Sequence, residues 1–200
     1  MSKKQIIEIK VILLGDSTVG KTCLLMKYMK KEINDFHVST IGIEKHSDSI
    51  EIFNHKLTLT IVDTSGQERY RSITKNYYVH ADGILLLYDI TNRVSFNHIA
   101  DWLKEIKEKA KENVCIYLIG NKNDLEDERE IQKEEGENFA HSNNLKFYEI
   151  SSKFDKNLRS IFIDISENIC KENKIFEKEE ISGVILNNSE KKKKGCLCPK

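Results

Sequence analysis

An eight-residue stretch, Gly15-Asp16-Ser17-Thr18-Val19-Gly20-Lys21-Thr22, has the composition and spacing of a phosphate cradle. Its glycines let backbone N–H groups approach phosphate oxygens, Lys21 brings a cation to the terminal phosphates, and the Thr22 hydroxyl can ligate Mg²⁺. The pattern has four open positions and also arises in ordinary Gly-rich turns, so its surroundings decide. It needs a strand before it and a helix after it. Ile6 to Leu14 is a nearly continuous apolar run, and Leu24, Leu25, Tyr28 and Met29 recur at helical spacing just downstream.

Three further clusters each follow an apolar run. Asp63-Thr64-Ser65-Gly66-Gln67 offers an acid able to hold Mg²⁺ through water and, at Gly66, an amide able to meet a γ-phosphate. In Asn121-Lys122-Asn123-Asp124, a carboxylate can accept two N–H bonds from N1 and N2 of guanine, a pattern that adenine does not present. Ser151-Ser152-Lys153 brings a backbone amide and a lysine stem to the base. Singly, Asp63, Asp124 and Thr40 read as turn formers or caps. Four clusters in this order, each at a strand end, point instead to a guanine nucleotide.

The elements that must position these residues alternate between strand and helix, which predicts an α/β fold with a parallel sheet. Ile6–Leu14, Gly83–Tyr88 and Val114–Ile119 read as buried central strands, and 146–150 as a shorter one. Ser49–Phe53 and Lys56–Val62 flank Asn54-His55 and predict a hairpin, hence one antiparallel pair. Residues 33–43 show no sustained period and read as a loop. Helices are expected over 21–31, after a Ser95 cap with Ile99, Trp102, Leu103, Ile106 and Ala110 on the apolar face, over 132–141, and after an Asn157 cap with Leu158, Ile161, Phe162, Ile165 and Ile169 inward. Trp102 reads as a core residue. Together these predict six strands with helices on both faces.

At 200 residues the chain suits one well-buried core. Lys+Arg and Asp+Glu are equal at 32 each, so no global charge steers it to nucleic acid, and a nucleic-acid partner is not expected. No run approaches the roughly 20 residues that span a bilayer. No secretory signal and no myristoylation glycine are evident at the N-terminus. Cys23, Cys115 and Cys170 lie in apolar-periodic segments and read as small buried hydrophobes of a reduced compartment.

Across residues 6–172 the chain resembles the small GTPases, and within them the Rab branch. Besides the clusters above, Ser39-Thr40-Ile41-Gly42-Ile43-Glu44, Arg69-Tyr70-Arg71-Ser72-Ile73-Thr74, Tyr77-Tyr78 and Leu87-Tyr88-Asp89-Ile90-Thr91 carry the likeness. The resemblance implies a P-loop G domain over 1–175 and a tail over 176–200. It implies nucleotide contacts from Asp16, Ser17, Thr18, Val19, Gly20, Lys21, Thr22, Cys23, Thr40, Gly66, Asn121, Lys122, Asp124, Ser151, Ser152 and Lys153. Thr22, Thr40 and Asp63 would serve Mg²⁺, while Lys21 and Gln67 would be catalytic, with Gln67 orienting the attacking water. GTP and GDP are the expected ligands. No cis arginine finger is evident, so slow intrinsic hydrolysis and an activating protein are expected. An exchange factor, effectors and a GDP-dissociation inhibitor are implied as partners of a monomer that regulates vesicle traffic.

Partner-facing positions depart from the Rab pattern. Lys45 stands where that pattern has Phe, Val62 where it has Trp, and Ile33, with Phe36 nearby, where an aromatic packs on guanine. Lys45 is expected to face solvent beside Val62 and to favour a partner with an Asp or Glu opposite. In the tail, five lysines against Glu190 leave residues 187–200 at +4. Behind them Cys196 and Cys198 read as a prenylation pair rather than zinc ligands or incidental cysteines, because two lipid chains, or one plus a polybasic patch, anchor stably. The chain would then bind reversibly to the cytoplasmic face of intracellular membranes. The alternatives are a GTP-binding scaffold with little hydrolysis, a Ras-type signalling GTPase outside trafficking, and a nucleotide kinase. Gln67 and Thr40 count against the first, and the want of an Arg-rich lid against the last.

Overall fold

The computed structural model describes residues 7–30, 43–64, 78–156 and 158–176. Its strands are β1 (Ile7–Leu14), β2 (Ile43–Ile52), β3 (His55–Thr64), β4 (Gly83–Asp89), β5 (Cys115–Asn121) and β6 (Lys146–Ile150). Its helices are α1 (Lys21–Tyr28), α2 (Arg93–Asn97), α3 (Ile99–Lys109), α4 (Lys133–Ser142) and α5 (Leu158–Glu172), with a short 3₁₀ turn at Glu126–Glu128. The sheet order is β2-β3-β1-β4-β5-β6, and only the β2–β3 pair is antiparallel. The order reverses at β1, whose neighbours are β3 and β4. That reversal opens a crevice beyond its carboxyl end, where the cradle begins.

Both faces of the sheet are covered because the central strands are apolar on both. On one face Ile12, Leu14, Val62, Ile84, Leu86, Tyr88 and Leu118 share a cluster with Ile99, Trp102, Leu103 and Ile106 of α3 and Ala140 of α4. Gly83 is in register with Val11 and so faces the other way. A Cβ there would come within 2.8 and 2.9 Å of Ile169 and Ile165, so α5 lies directly on that glycine. The ring of Tyr28 in α1 packs 4.4 Å from that of Phe162 in α5, on the same side.

Several expectations are corrected. The hairpin turn is Phe53-Asn54, with φ of 48° and 64°, and Ile52 pairs with His55. This is the two-residue turn with both central φ positive that matches strand twist. Burial of Ile50 and Ile52 between exposed Ser49 and Glu51 sets the register, which a turn at Asn54-His55 would shift. β2 extends back to Ile43, so the 33–43 loop ends a residue sooner; its remainder lies outside the described residues. α1 stops at Tyr28, and Lys30 already has φ 54°. The cap near residue 95 is Asn92, whose side chain accepts from the amides of Val94 and Ser95. Ser95 is instead buried, accepting from the Asp89 amide and donating to the Asn92 carbonyl. Asn157 lies outside the described residues.

Val62 is fully buried, so it does not join Lys45 on an exposed surface. Lys45 itself is exposed and opposite Val62 in register, as expected. Val62 belongs to the core cluster against which α3 packs. Cys170 is buried, whereas Cys23 and Cys115 are half-buried.

The chain divides into two units, Met1–Ile169 and Cys170–Lys200. The described part of the second is the end of α5 and the turn in which the Lys174 amide donates to the Lys171 carbonyl. Among the described residues no helix is long and apolar enough to cross a membrane.

Gly136 has no place in a helix on propensity grounds, and packing explains it. A Cβ there would meet the Tyr88 hydroxyl at 2.4 Å and the Phe147 ring at 2.9 Å. That hydroxyl is buried without a hydrogen-bond partner among the described residues, and burial raises its pKa above the usual tyrosine range. Gly136→Ala is expected to destabilise the fold by about 1–3 kcal/mol. The loss should shrink in the Tyr88→Phe background, which removes the nearest atom. Urea melts of both single variants and the double variant test this, and an undiminished loss would mean that the hydroxyl is not what Gly136 avoids.

Candidate functional site

Strand register brings the sequence clusters to one end of the sheet. Leu13, next to the cradle, pairs with Asp63, Asp89 pairs with Asn121, and Asn121 pairs with Ile150. Asp63 and Asn121 are themselves the last or next-to-last residues of their strands, one or two positions further along than expected.

The cradle repeatedly enters positive φ, at Gly15 (134°), Thr18 (65°) and Gly20 (98°). Such alternation turns successive amides into an anion-binding concavity. Two of these positions exclude any side chain. A Cβ on Gly15 would stand 2.2 Å from the Leu87 carbonyl oxygen, and one on Gly20 would stand 2.2 Å from Asn121 Nδ2. Lys21 opens α1 and is 5% exposed. Its Nζ donates to the carbonyl oxygens of Gly15 at 2.9 Å and Asp16 at 2.6 Å. Burial lowers its pKa to about 8, although Asp63 and Asp16 pull it upward. An ammonium buried against neutral carbonyls is suited to an arriving phosphate.

Thr22 Oγ1 donates to Asp63 Oδ2 at 2.6 Å. Hydroxyl and carboxylate are hard oxygen donors, and a pair this close fits Mg²⁺. Thr40, Gly66 and Gln67 lie outside the described residues, as do Cys196 and Cys198.

The loops after β5 and β6 are joined to the cradle by Asn121, which is 1% exposed. Its Nδ2 donates to the Val19 carbonyl at 2.7 Å, while its Oδ1 accepts from the Ser152 amide at 2.9 Å and hydroxyl at 2.8 Å. Lys122 takes φ 69° and reaches Asp89 at 2.5 Å. Asp124 is exposed. Ser151 Oγ accepts from the amides of Lys153 and Phe154, and the Lys153 carbonyl accepts from Lys27 Nζ at 2.8 Å. Cys23 follows in α1, its thiol pushed up by burial.

Residues that motif reading passed over hold this arrangement in place. Arg129 donates bidentately to Glu149, at 3.0 and 2.6 Å, and to the Ile131 carbonyl, so the loop after β5 is tied to β6. Its hydrogen bonds to Glu149 and then Glu126 push the guanidinium pKa above its ordinary range. A twenty-residue separation leaves no periodic trace of such a pair. Asp16 accepts from Trp102 Nε1 at 2.8 Å and lies 2.6 Å from His98 Nδ1. Trp102 is core, as expected, but its indole N–H needed an acceptor, and that need was the available signal.

A model of the Ras family matches residues 10–171. The chain is similar to the Ras-related protein Rab-10 of Diplobatis ommata, with 42% identity over 168 residues, 84% of each chain.

Proposed function

Since this chain belongs to the Ras family, as a Rab-like small GTPase that hydrolyses GTP in membrane trafficking, we propose that the cradle, Asp63 and the two base loops form its single guanine-nucleotide switch site. The observation that carries this reading is Asn121, whose one amide group bridges Val19 of the cradle and Ser152 of the base loop. Phosphate and base subsites are thereby held as one unit, so a nucleotide is read at both ends together.

In this reading Asp124 accepts from guanine N1 and N2, and the Ser151–Lys153 loop borders the base. Asp16 to Cys23 wrap the phosphates, with Gly66 meeting the γ-phosphate. Thr22, Asp63 and Thr40 would hold Mg²⁺, which when bound would supply Lewis-acid neutralisation of phosphate charge. Gln67 orients a water for in-line attack on the γ-phosphorus. The water oxygen bonds to that phosphorus as its bond to the β–γ bridging oxygen breaks, the hydrogens of the water leave with the phosphate as dihydrogen phosphate, and Lys21 offsets the charge left on GDP. Exchange factor, activating protein, effectors and GDP-dissociation inhibitor act on this switch. The 176–200 tail, prenylated at Cys196 and Cys198 behind its lysines, returns it reversibly to the cytoplasmic face of intracellular membranes.

Base choice is the test. Asp124→Asn replaces an acceptor with a donor opposite guanine N1–H, so GTP affinity should fall at least about tenfold, the worth of one charge-assisted hydrogen bond. Xanthosine triphosphate, which presents an oxygen at that edge, should gain. Competition titrations with both nucleotides decide it; an unchanged preference for GTP would remove Asp124 from base recognition.

A further inference from the structure

A carboxylate in a phosphate-binding loop is an electrostatic liability, and in this chain Asp16 supplies one directly after Gly15. The structure turns it away from the cradle. One oxygen, Oδ1, accepts from Trp102 Nε1 at 2.8 Å. The other, Oδ2, lies 2.6 Å from His98 Nδ1, and a carboxylate can only accept, so Nδ1 carries the hydrogen. His98 precedes the first residue of α3, and Trp102 lies in that helix one turn on, its amide donating to the His98 carbonyl at 3.0 Å. Both donors therefore reach Asp16 from one helical turn packed in the core by Ile99, Trp102 and Leu103. The backbone of Asp16 points the other way, since its carbonyl receives Lys21 Nζ at 2.6 Å. Asp16 is thus gripped on two sides, by α3 through its carboxylate and by the Lys21 ammonium through its carbonyl.

We propose that His98 and Trp102 are positioning residues of the phosphate site, holding the Asp16 carboxylate on α3 so that the cradle keeps its shape and the negative charge stays off the nucleotide. The proposal rests on the cradle being the nucleotide site. Neither residue touches the phosphates; both act through Asp16. Losing either donor frees the carboxylate to swing toward the phosphates and loosens the carbonyl that orients Lys21.

The test is the dissociation rate of fluorescently labelled GDP from the full chain, chased with excess GDP at fixed Mg²⁺, for wild type, His98→Ala, His98→Asn and Trp102→Phe. Wild-type binding is established first, because a chain that binds no guanine nucleotide defeats the site assignment rather than this proposal. His98→Ala and Trp102→Phe should each release GDP about tenfold faster, the effect of one hydrogen bond to a charged group. His98→Asn keeps a short side chain with an N–H near the Nδ1 position and should restore the wild-type rate. His98 is about half exposed, so its substitution leaves the core intact and the result stands even if Trp102→Phe folds poorly. Wild-type release from His98→Ala overturns the proposal. So does fast release that His98→Asn fails to rescue, which would assign the effect to packing of the ring.

Discussion

Replacing Lys21 with methionine should make the nucleotide-free protein more stable while removing most of its affinity for GTP. The buried ammonium has its pKa lowered from 10.5 to about 8, so at neutral pH the folded chain holds a proton that its surroundings disfavour. The shift corresponds to about 3 kcal/mol. Methionine has nearly the same reach and removes that penalty. It also forfeits the bonds to the carbonyls of Gly15 and Asp16, so the expected net gain is about 1–2 kcal/mol. The pH dependence has a definite sign. The folded pKa lies below the unfolded one, so the penalty is complete below about pH 8. It fades as pH rises toward 10.5, where the unfolded chain alone still holds the proton. The stability advantage of Lys21→Met should therefore shrink over that window. With the cation gone, GTP affinity should fall by at least about a hundredfold, the scale of an unpaired buried charge. Denaturant melts across pH, set beside nucleotide titrations, check both halves, and a variant less stable than wild type at pH 7 would contradict the first.

Arg129→Leu should be among the most damaging single changes to the fold. The guanidinium and the Glu149 carboxylate are each 8% exposed and doubly bonded to one another. Removing the cation leaves a buried carboxylate without its partner, a loss of about 3–5 kcal/mol. Removing both, as Arg129→Leu with Glu149→Leu, should recover most of it, because the pair taken together is worth much less than its broken half. Guanine nucleotide should also leave the single variant faster, since the pair ties the loop after β5 to β6 and so sets Asn121–Asp124 beside Ser151–Lys153. Urea melts of the cycle together with GDP release rates are the measurement. A single-variant loss under about 1 kcal/mol would show that water reaches the carboxylate.

These two residues differ in how they could be found. Lys21 is legible in the chain because near neighbours in sequence mark it out: Gly15 and Gly20, the apolar run before and the helical spacing after. Arg129 belongs to no motif, and its partner is twenty residues off. The same division runs through the fold. Apolar runs and helical spacing locate five of the six strands closely and the faces of α3 and α5, since burial imposes a period on local sequence. They misplace the hairpin turn by one residue and β2 by several, because mostly polar positions such as Glu44 to Ser49 carry no apolar alternation to follow. They take Ser95 for a cap where Asn92 serves, because both residue types can cap and only the path of the chain leaving β4 chooses between them.

The chain alone shows a cation, a hydroxyl and glycines at phosphate spacing, polar clusters after apolar runs, and α/β alternation to carry them. Each of these is a property of a short segment, and short segments are governed by backbone geometry and local periodicity. Which groups are held, buried or turned aside follows from the packing of the elements. That packing set Asn121 between Val19 and Ser152, drew the Asp16 carboxylate onto α3, withdrew Val62 into the core and closed Arg129 on Glu149. Those outcomes depend on strand order and register, which place residues from 20 to more than 100 positions apart within hydrogen-bond reach, and no local pattern encodes such distances.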